Sequence, residues 1–407
     1  MSGPLSHLKV LDLSRILAGP WASQVLADFG AEVIKVERPY KGDDTRHWGP
    51  PYLKDSEGQD TDDAAYYLSA NRGKKSITVD ITQATGQKLI RELAQRCDIL
   101  LENYKVGGLA KYGLDYDAIR QINPRIIYCS ITGFGQTGPY AKRAGYDAMI
   151  QGMGGLMSIT GVPEGQPGAG PQKVGVAVAD LMTGMYAVSG VLAAVIHRDQ
   201  TGEGQHIDLA LLDTQVAWLA NQAQNYLTSG VSPERQGTAH PNIVPYQAVP
   251  ASDGYFMLAV GNDSQFQKFC QIAGLDELAA NPAYATNRDR VKARDTLVPL
   301  IESATASKPA AWWLEQLSAA HVPCGPINNL QQVFADPQVM ARGMVVEQPH
   351  PQAGRVRTVR NPLEFSASPL QYQQAPPTLG EHTQVVLEAE LGLSPGAIED
   401  LRAQGVI

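Results

Sequence analysis

The chain has 407 residues, 43% of them hydrophobic, and a net charge of −8; that length points to two or three domains with a sizeable core. No basic run or basic tail offsets the acidity, which excludes broad nucleic-acid binding. Four cysteines, Cys97, Cys129, Cys270 and Cys324, lack CxxC spacing and read as free thiols of a reducing compartment rather than zinc ligands. The start MSGPLSHLKV has no charged-then-apolar leader, and Arg, Asp or Gln interrupts every apolar stretch short of a membrane span. The expectation is a cytoplasmic protein with no membrane partner.

The first part alternates strands and helices. Leu8–Leu13 reads as a buried strand, Pro20–Phe29 as a helix with proline in its first turn and Gly30 at its stop, and Glu32–Val36 as a second strand. Leu89, Ile90, Leu93, Ala94 and Cys97 fall on one helical face before the strand Asp98–Leu101. The helix Tyr116–Ile122 ends at Asn123-Pro124 and precedes the strand Ile126–Ser130. This pattern predicts an α/β protein with a Rossmann-like parallel sheet of right-handed βαβ units. Gly133–Gly170 is glycine-rich and reads as loop. Leu181–His197 is a long apolar helix, and the strand His206–Leu212 leads into a helix ending near Ser229.

The pattern changes after Gly230. Tyr246–Val249 and Tyr255–Val260 flank Ser252-Asp253-Gly254, a hairpin signal. Helices follow near Gln265–Ala273 and Ala310–Ala320. The expected organisation is a large domain over 1–224, a small α+β domain over 225–330, and a segment 331–407 that returns to the large domain, turn-rich over 345–380 and ending in a helix.

Most cofactor chemistries fail on spacing. The turn after the first strand, SRILAGP, lacks GxGxxG, so a pyrophosphate cannot approach the backbone closely, although Glu37 sits where a ribose-binding acid would. There is no GxSxG elbow, no P-loop and no HxH, HxxH or HExxH pair. The expectation is no prosthetic group and no metal.

Two acids stand out. Asp180 follows VGVAVA and precedes a long apolar helix, a strand-to-helix junction at which it is either a helix N-cap or an exposed nucleophile. Asp147, in AGYDAMIQGMGG, is either a cap or part of a site whose following glycines leave amides for an oxyanion. Arg38, Lys74, Lys75, Lys111, Lys142 and Arg143 are spread along loops, some of them as phosphate contacts.

The stretches RILAGPWASQVLADFGAEVIKVERP, NRGKKSITVD, LLENY, YCSITGFGQTGP, RAGYD, AVADLMTG, TGEGQHIDLALLD and VPCGPINN resemble the class III CoA-transferases, nearly end to end and in order. GDDTRHWGPP, YYLSANRGKKSI and GTAHPNIVPYQA resemble the branch that uses dicarboxylates, with succinyl-CoA as donor and an acid such as glutarate as acceptor. The resemblance implies that Asp180 is the catalytic carboxylate, forming aspartyl anhydride and aspartyl-CoA thioester intermediates. It implies coenzyme A contacts, as substrate, from Ala18, Arg38, the segment Val79, Asp80, Ile81 and Thr82, the segment Asn103, Tyr104 and Lys105, and Lys111. Tyr146 and Asp147 would line the acid pocket. Gly152–Gly155 or the Val260-Gly261-Asn262 turn would stabilise an oxyanion, the latter also as a lid. Some oxalate-using members have glutamine and histidine where this chain has Leu17 and Arg15; Leu17 cannot hydrogen-bond a small polar acid, whereas Arg15 can pair with a distal carboxylate. The resemblance also implies an obligate, interlocked homodimer. The rival readings are an α-methylacyl-CoA racemase, whose GHD-like motif is Gly145-Tyr146-Asp147 here, and a non-catalytic CoA-binding protein.

Overall fold

The protein is described from a computed structural model covering residues 3–372 and 374–407. It contains the strands β1 (Lys9–Asp12), β2 (Glu32–Glu37), β3 (Tyr52–Lys54), β4 (Asp60–Ala64), β5 (Lys74–Thr78), β6 (Ile99–Glu102), β7 (Ile127–Thr132) and β8 (Gln205–Ala210). They are followed by β9 (Tyr246–Ala251), β10 (Gly254–Ala259), β11 (Cys324–Pro326), β12 (Val345–His350) and β13 (Gly354–Val359). Two compact units result. One comprises 1–156, 173–231 and 340–407; the other comprises 157–172 and 232–339. The segment 157–172 thus joins the second unit although it lies far upstream of the expected boundary at 225.

In the first unit, six parallel strands form one sheet in the order β5-β2-β1-β6-β7-β8. Side chains alternate across it. Val10, Val33, Ile99, Ile127 and Cys129 point to the face covered by the helices Ala18–Asp28 and Val178–Thr201. Leu11, Ile34, Ile77, Leu100 and Tyr128 point to the other, covered by Ala84–Ala94, Tyr116–Ile122, Thr383–Leu391 and Pro395–Ala403. Near-continuous apolar runs are what a sheet buried on both faces requires. The small antiparallel pairs β3–β4 and β12–β13 also belong to this unit.

Several expectations are corrected. Lys74 and Lys75, loop charges by sequence, lie on β5: Lys74 is fully buried and pairs with Asp12 at 3.3 Å, while Lys75 pairs with Glu32 at 2.5 Å. The glycine-rich stretch holds two short helices, Asp147–Met153 and Leu156–Ile159, and the turn-rich segment 345–380 holds the β12–β13 hairpin. The helix Val178–Thr201 is, by length and composition, apolar enough to cross a membrane, with mean hydropathy 1.6 in its best window. One face of it packs on Ala18–Asp28, so closely that a Cβ on Gly184 would sit 2.7 Å from the Ala18 carbonyl oxygen.

The second unit is α+β. Its antiparallel sheet runs β11-β10-β9. The helices Asp263–Ala273, Arg294–Thr305 and Ala310–Ala319 enclose Phe256, Phe266, Phe269 and Trp313.

Candidate active site

A cavity of about 450 Å³ opens at the carboxyl ends of the central strands of the first unit, the edge at which parallel sheets bind ligands. β1 ends at Asp12 and delivers Arg15, Leu17 and Ala18; β2 ends at Glu37 and delivers Arg38; β5 delivers Val79, Asp80, Ile81 and Thr82; β6 delivers Asn103, Tyr104 and Lys105. Lys111, Tyr146 and Asp180 complete the wall among the expected residues. Asp147 and Gly261 are not part of it. Gly261 lies in the second unit, where its N–H donates to Gln265 Oε1 at 2.7 Å and the N–H of Val260 donates to the Pro245 carbonyl at 3.0 Å. The amide of Gly154 is likewise taken up, by the Ile150 carbonyl at 2.7 Å. These amides are engaged locally rather than left for an oxyanion.

Asp180 sits in the first turn of Val178–Thr201, after irregular chain rather than a strand, and Ala177, not Asp180, is the cap residue. The capping carboxylate comes from elsewhere. Asp147 Oδ1 accepts the N–H of Ala179 at 2.8 Å and of Asp180 at 3.3 Å, and Oδ2 accepts from Gln151 Nε2 at 2.7 Å. Asp147 thus satisfies orphan donors of the helix start and leaves the Asp180 side chain to the cavity. A glycine pair permits this: a Cβ on Gly145 would meet Gly133 Cα at 2.5 Å, so only glycines let this loop reach the end of β7.

Burial raises the Asp180 carboxyl, and the nearby Asp147 charge raises it further, to about 7. The same pair acts on a residue that sequence reasoning missed. Burial, then the charges of Asp180 and Asp147, push the Tyr66 phenol up to about 12; Trp48 packs edge-on against it at 5.2 Å. A short helix, Ala65–Leu68, carries Tyr66, and no motif marks it.

The cavity is rich in cations. Arg38, Lys105 and Lys111 line it without an ion-pair partner among the described residues, and Lys111 rests on the Tyr112 ring at 4.6 Å. Arg143 also lines it, stacked on Tyr140 at 4.6 Å. Arg15 pairs with exposed Asp44 at 3.0 Å and lies over Tyr104 at 5.6 Å; its Nε is shielded from solvent and has no partner among the described residues. Such a wall suits a polyanion with a long, partly apolar body. Among the described residues no cluster of His, Cys, Asp and Glu could hold a metal ion.

Comparison with known proteins agrees with this geometry. A family model described as CoA-transferase family III matches residues 5–383. A succinate–glutarate CoA-transferase of Agrobacterium fabrum is 52% identical over 95% of this chain and 96% of its own length. A human succinyl-CoA:glutarate CoA-transferase is 45% identical over 99% of this chain and 90% of its own. A crystal structure of a CAIB/BAIF family protein from Brucella suis, 51% identical, superposes with a TM-score of 0.84 over 96% of this chain and all of that one. The chain belongs to CoA-transferase family III.

Proposed function

We propose that this family III CoA-transferase moves coenzyme A from succinyl-CoA to glutarate or a closely similar dicarboxylate, with the Asp180 carboxylate as covalent relay. The observation that carries the reading is the Asp180 carboxyl itself, presented to a cation-lined cavity by a helix whose start a second carboxylate caps. The relatives named above supply the substrate class.

In the ionised form, an Asp180 oxygen attacks the donor thioester carbonyl. The C–S bond breaks, CoA leaves as thiolate, and a mixed anhydride remains. The thiolate then attacks the aspartyl carbonyl, releasing succinate and leaving an aspartyl-CoA thioester. The acceptor carboxylate attacks that thioester, giving a second anhydride and the thiolate again. Attack of the thiolate on the acceptor's carbonyl forms the new acyl-CoA and restores the Asp180 carboxylate. Like bonds are exchanged, so the cycle consumes no ATP and calls for no metal. It does require that water be kept from three hydrolysable intermediates, two anhydrides and a thioester. Arg15 is assigned to the distal carboxylate, since it lines the cavity and its pair with Asp44 is exposed enough to exchange for a substrate carboxylate.

The active form is read as an interlocked homodimer in the cytoplasm. Exposed apolar side chains on helices of the first unit, Tyr186, Ile196, Val216 and Leu227, with Trp218 at a helix end, support a partner surface there. A racemase would require a second acid/base group beside Asp147, where this chain has the phenol Tyr146. Incubation of the protein with succinyl-CoA and glutarate, followed by chromatography of the CoA esters, tests the reading. Glutaryl-CoA should appear; succinyl-CoA left intact with every dicarboxylate offered would refute it.

A further inference from the structure

The turn between β1 and the helix Ala18–Asp28 is held by other elements. Ile16 adopts φ +73°, a left-handed conformation that a β-branched side chain resists more than almost any other. Nothing local supports it. The Ile16 N–H donates to both oxygens of Asp43, at 3.2 and 3.3 Å. Lys35 Nζ donates to Asp43 Oδ2 at 2.9 Å and to the Ser14 carbonyl at 3.1 Å. Asn103 completes the frame, accepting the Arg15 N–H at 2.9 Å and donating to the Arg15 carbonyl at 2.6 Å.

Asp43 is itself fixed. It accepts from Thr45 N at 3.0 Å and Thr45 Oγ1 at 2.8 Å, its own N–H donates to Glu37 Oε2 at 2.9 Å, and the side chains of Asp43 and Lys35 are fully buried. Burial alone would raise the Asp43 carboxyl, but Lys35 and the Thr45 donors outweigh it and hold it below the ordinary carboxylate range. The conformation has a consequence for the cavity. The first amide bonded within the helix is that of Trp21, to the Leu17 carbonyl at 2.7 Å. The amides of Leu17 and Ala18 are therefore orphan donors at a helix start, and both residues line the cavity.

We propose that Asp43 is a positioning residue for acyl-CoA: with Lys35 it clamps the Arg15–Leu17 turn in a strained form that sets the helix start, and the walls on either side of it, against the bound thioester. The inference rests on the reading of this cavity as the acyl-CoA site. It predicts that the clamp matters in proportion to the strain it holds. Glycine takes φ +73° freely, so a glycine at 16 should make Asp43 largely dispensable for binding.

The test is a double-mutant cycle on the full chain, read as the dissociation constant for coenzyme A by calorimetry, with Tm measured in parallel. Asp43→Asn should weaken binding by about tenfold or more, the cost of losing a charge-assisted acceptor. In an Ile16→Gly background the same substitution should cost clearly less. Thr45→Val, which loosens Asp43 without removing it, should show the same pattern at smaller size and stands in if Asp43→Asn does not fold. Equal losses in both backgrounds, or a fall in Tm with binding unchanged, would overturn the proposal. Wild-type protein that binds no coenzyme A would overturn the reading of the cavity itself, and the clamp's role with it.

Discussion

Asp147 Oδ1 accepts the backbone N–H of Asp180 at 3.3 Å while the Asp147 charge holds the Asp180 carboxyl, already raised by burial, at about 7. One residue therefore supports the backbone of Asp180, the proposed nucleophile, and opposes its ionisation. The arrangement suits a carboxylate that must attack, accept an acyl group and then leave. A carboxylate destabilised in the resting site is a better nucleophile than one stabilised by a cation.

The acidic limb of kcat/KM should accordingly lie near pH 7, far above the limb of an ordinary aspartate, because only ionised Asp180 attacks. Asp147→Asn keeps a capping oxygen for the helix start but removes the charge. The limb should move to lower pH, by a fraction of a unit to about one unit. A pH–rate series on the two proteins reads this directly, and a limb that does not move would exclude Asp147 as a cause.

Stability should follow the same linkage. Between the ordinary aspartate value of 3.8 and about 7, the folded protein holds a proton on Asp180 that the unfolded chain releases. Stability conferred at acid pH is thus lost as pH rises through that window, and is flat above it. Asp180→Asn has no proton to lose. Its Tm should match wild type near pH 4 and exceed it by about several degrees at pH 8, with transfer activity abolished. A variant less stable than wild type at pH 8 would contradict the electrostatic account.

Gly184→Ala tests the approach of the two core helices. The added Cβ would stand 2.7 Å from the Ala18 carbonyl oxygen and 3.1 Å from the Trp21 ring, and backbone cannot yield as a side chain does. The cost should be about 1–3 kcal/mol, with a loss of kcat because Asp180, one turn earlier, is displaced from the Arg15–Ala18 turn. Denaturant unfolding and steady-state kinetics report the two effects separately.

Arg15→Met should raise KM for glutarate by about tenfold or more and leave a monocarboxylate acceptor of similar length nearly unaffected. Equal effects on both acids would assign Arg15 to coenzyme A or to the turn instead.

The parts of the fold that a reader of the sequence can find are those whose physics is local. β1, β2, β6 and β7 are apolar runs in a sheet covered on both faces, and turn residues punctuate them. β5 escapes because its lysines look solvated; Asp12, with the Pro20 carbonyl and Asn71 Oδ1, makes burial of Lys74 tolerable. The two short helices after Gly133 escaped because glycine favours a loop reading. The site divides the same way. Asp180 stands out beside its long helix, but the cap of that helix arrives from Asp147, and the Ile16 turn is held by Lys35 of β2, Asp43 of the loop after β2 and Asn103 after β6. Tyr66 becomes part of the picture only when the chain has folded. Such pairings across the chain leave no periodic trace, and without the family resemblance Asp180 itself reads first as a cap and only second as a nucleophile.

The central claim is that Asp180 carries the acyl group and then coenzyme A. The most direct measurement is peptide mass spectrometry after mixing the protein with succinyl-CoA and trapping with hydroxylamine. The account predicts an aspartyl hydroxamate at position 180, formed only when the acyl-CoA is present. A hydroxamate at another residue, or active transfer with Asp180 never modified, would contradict it.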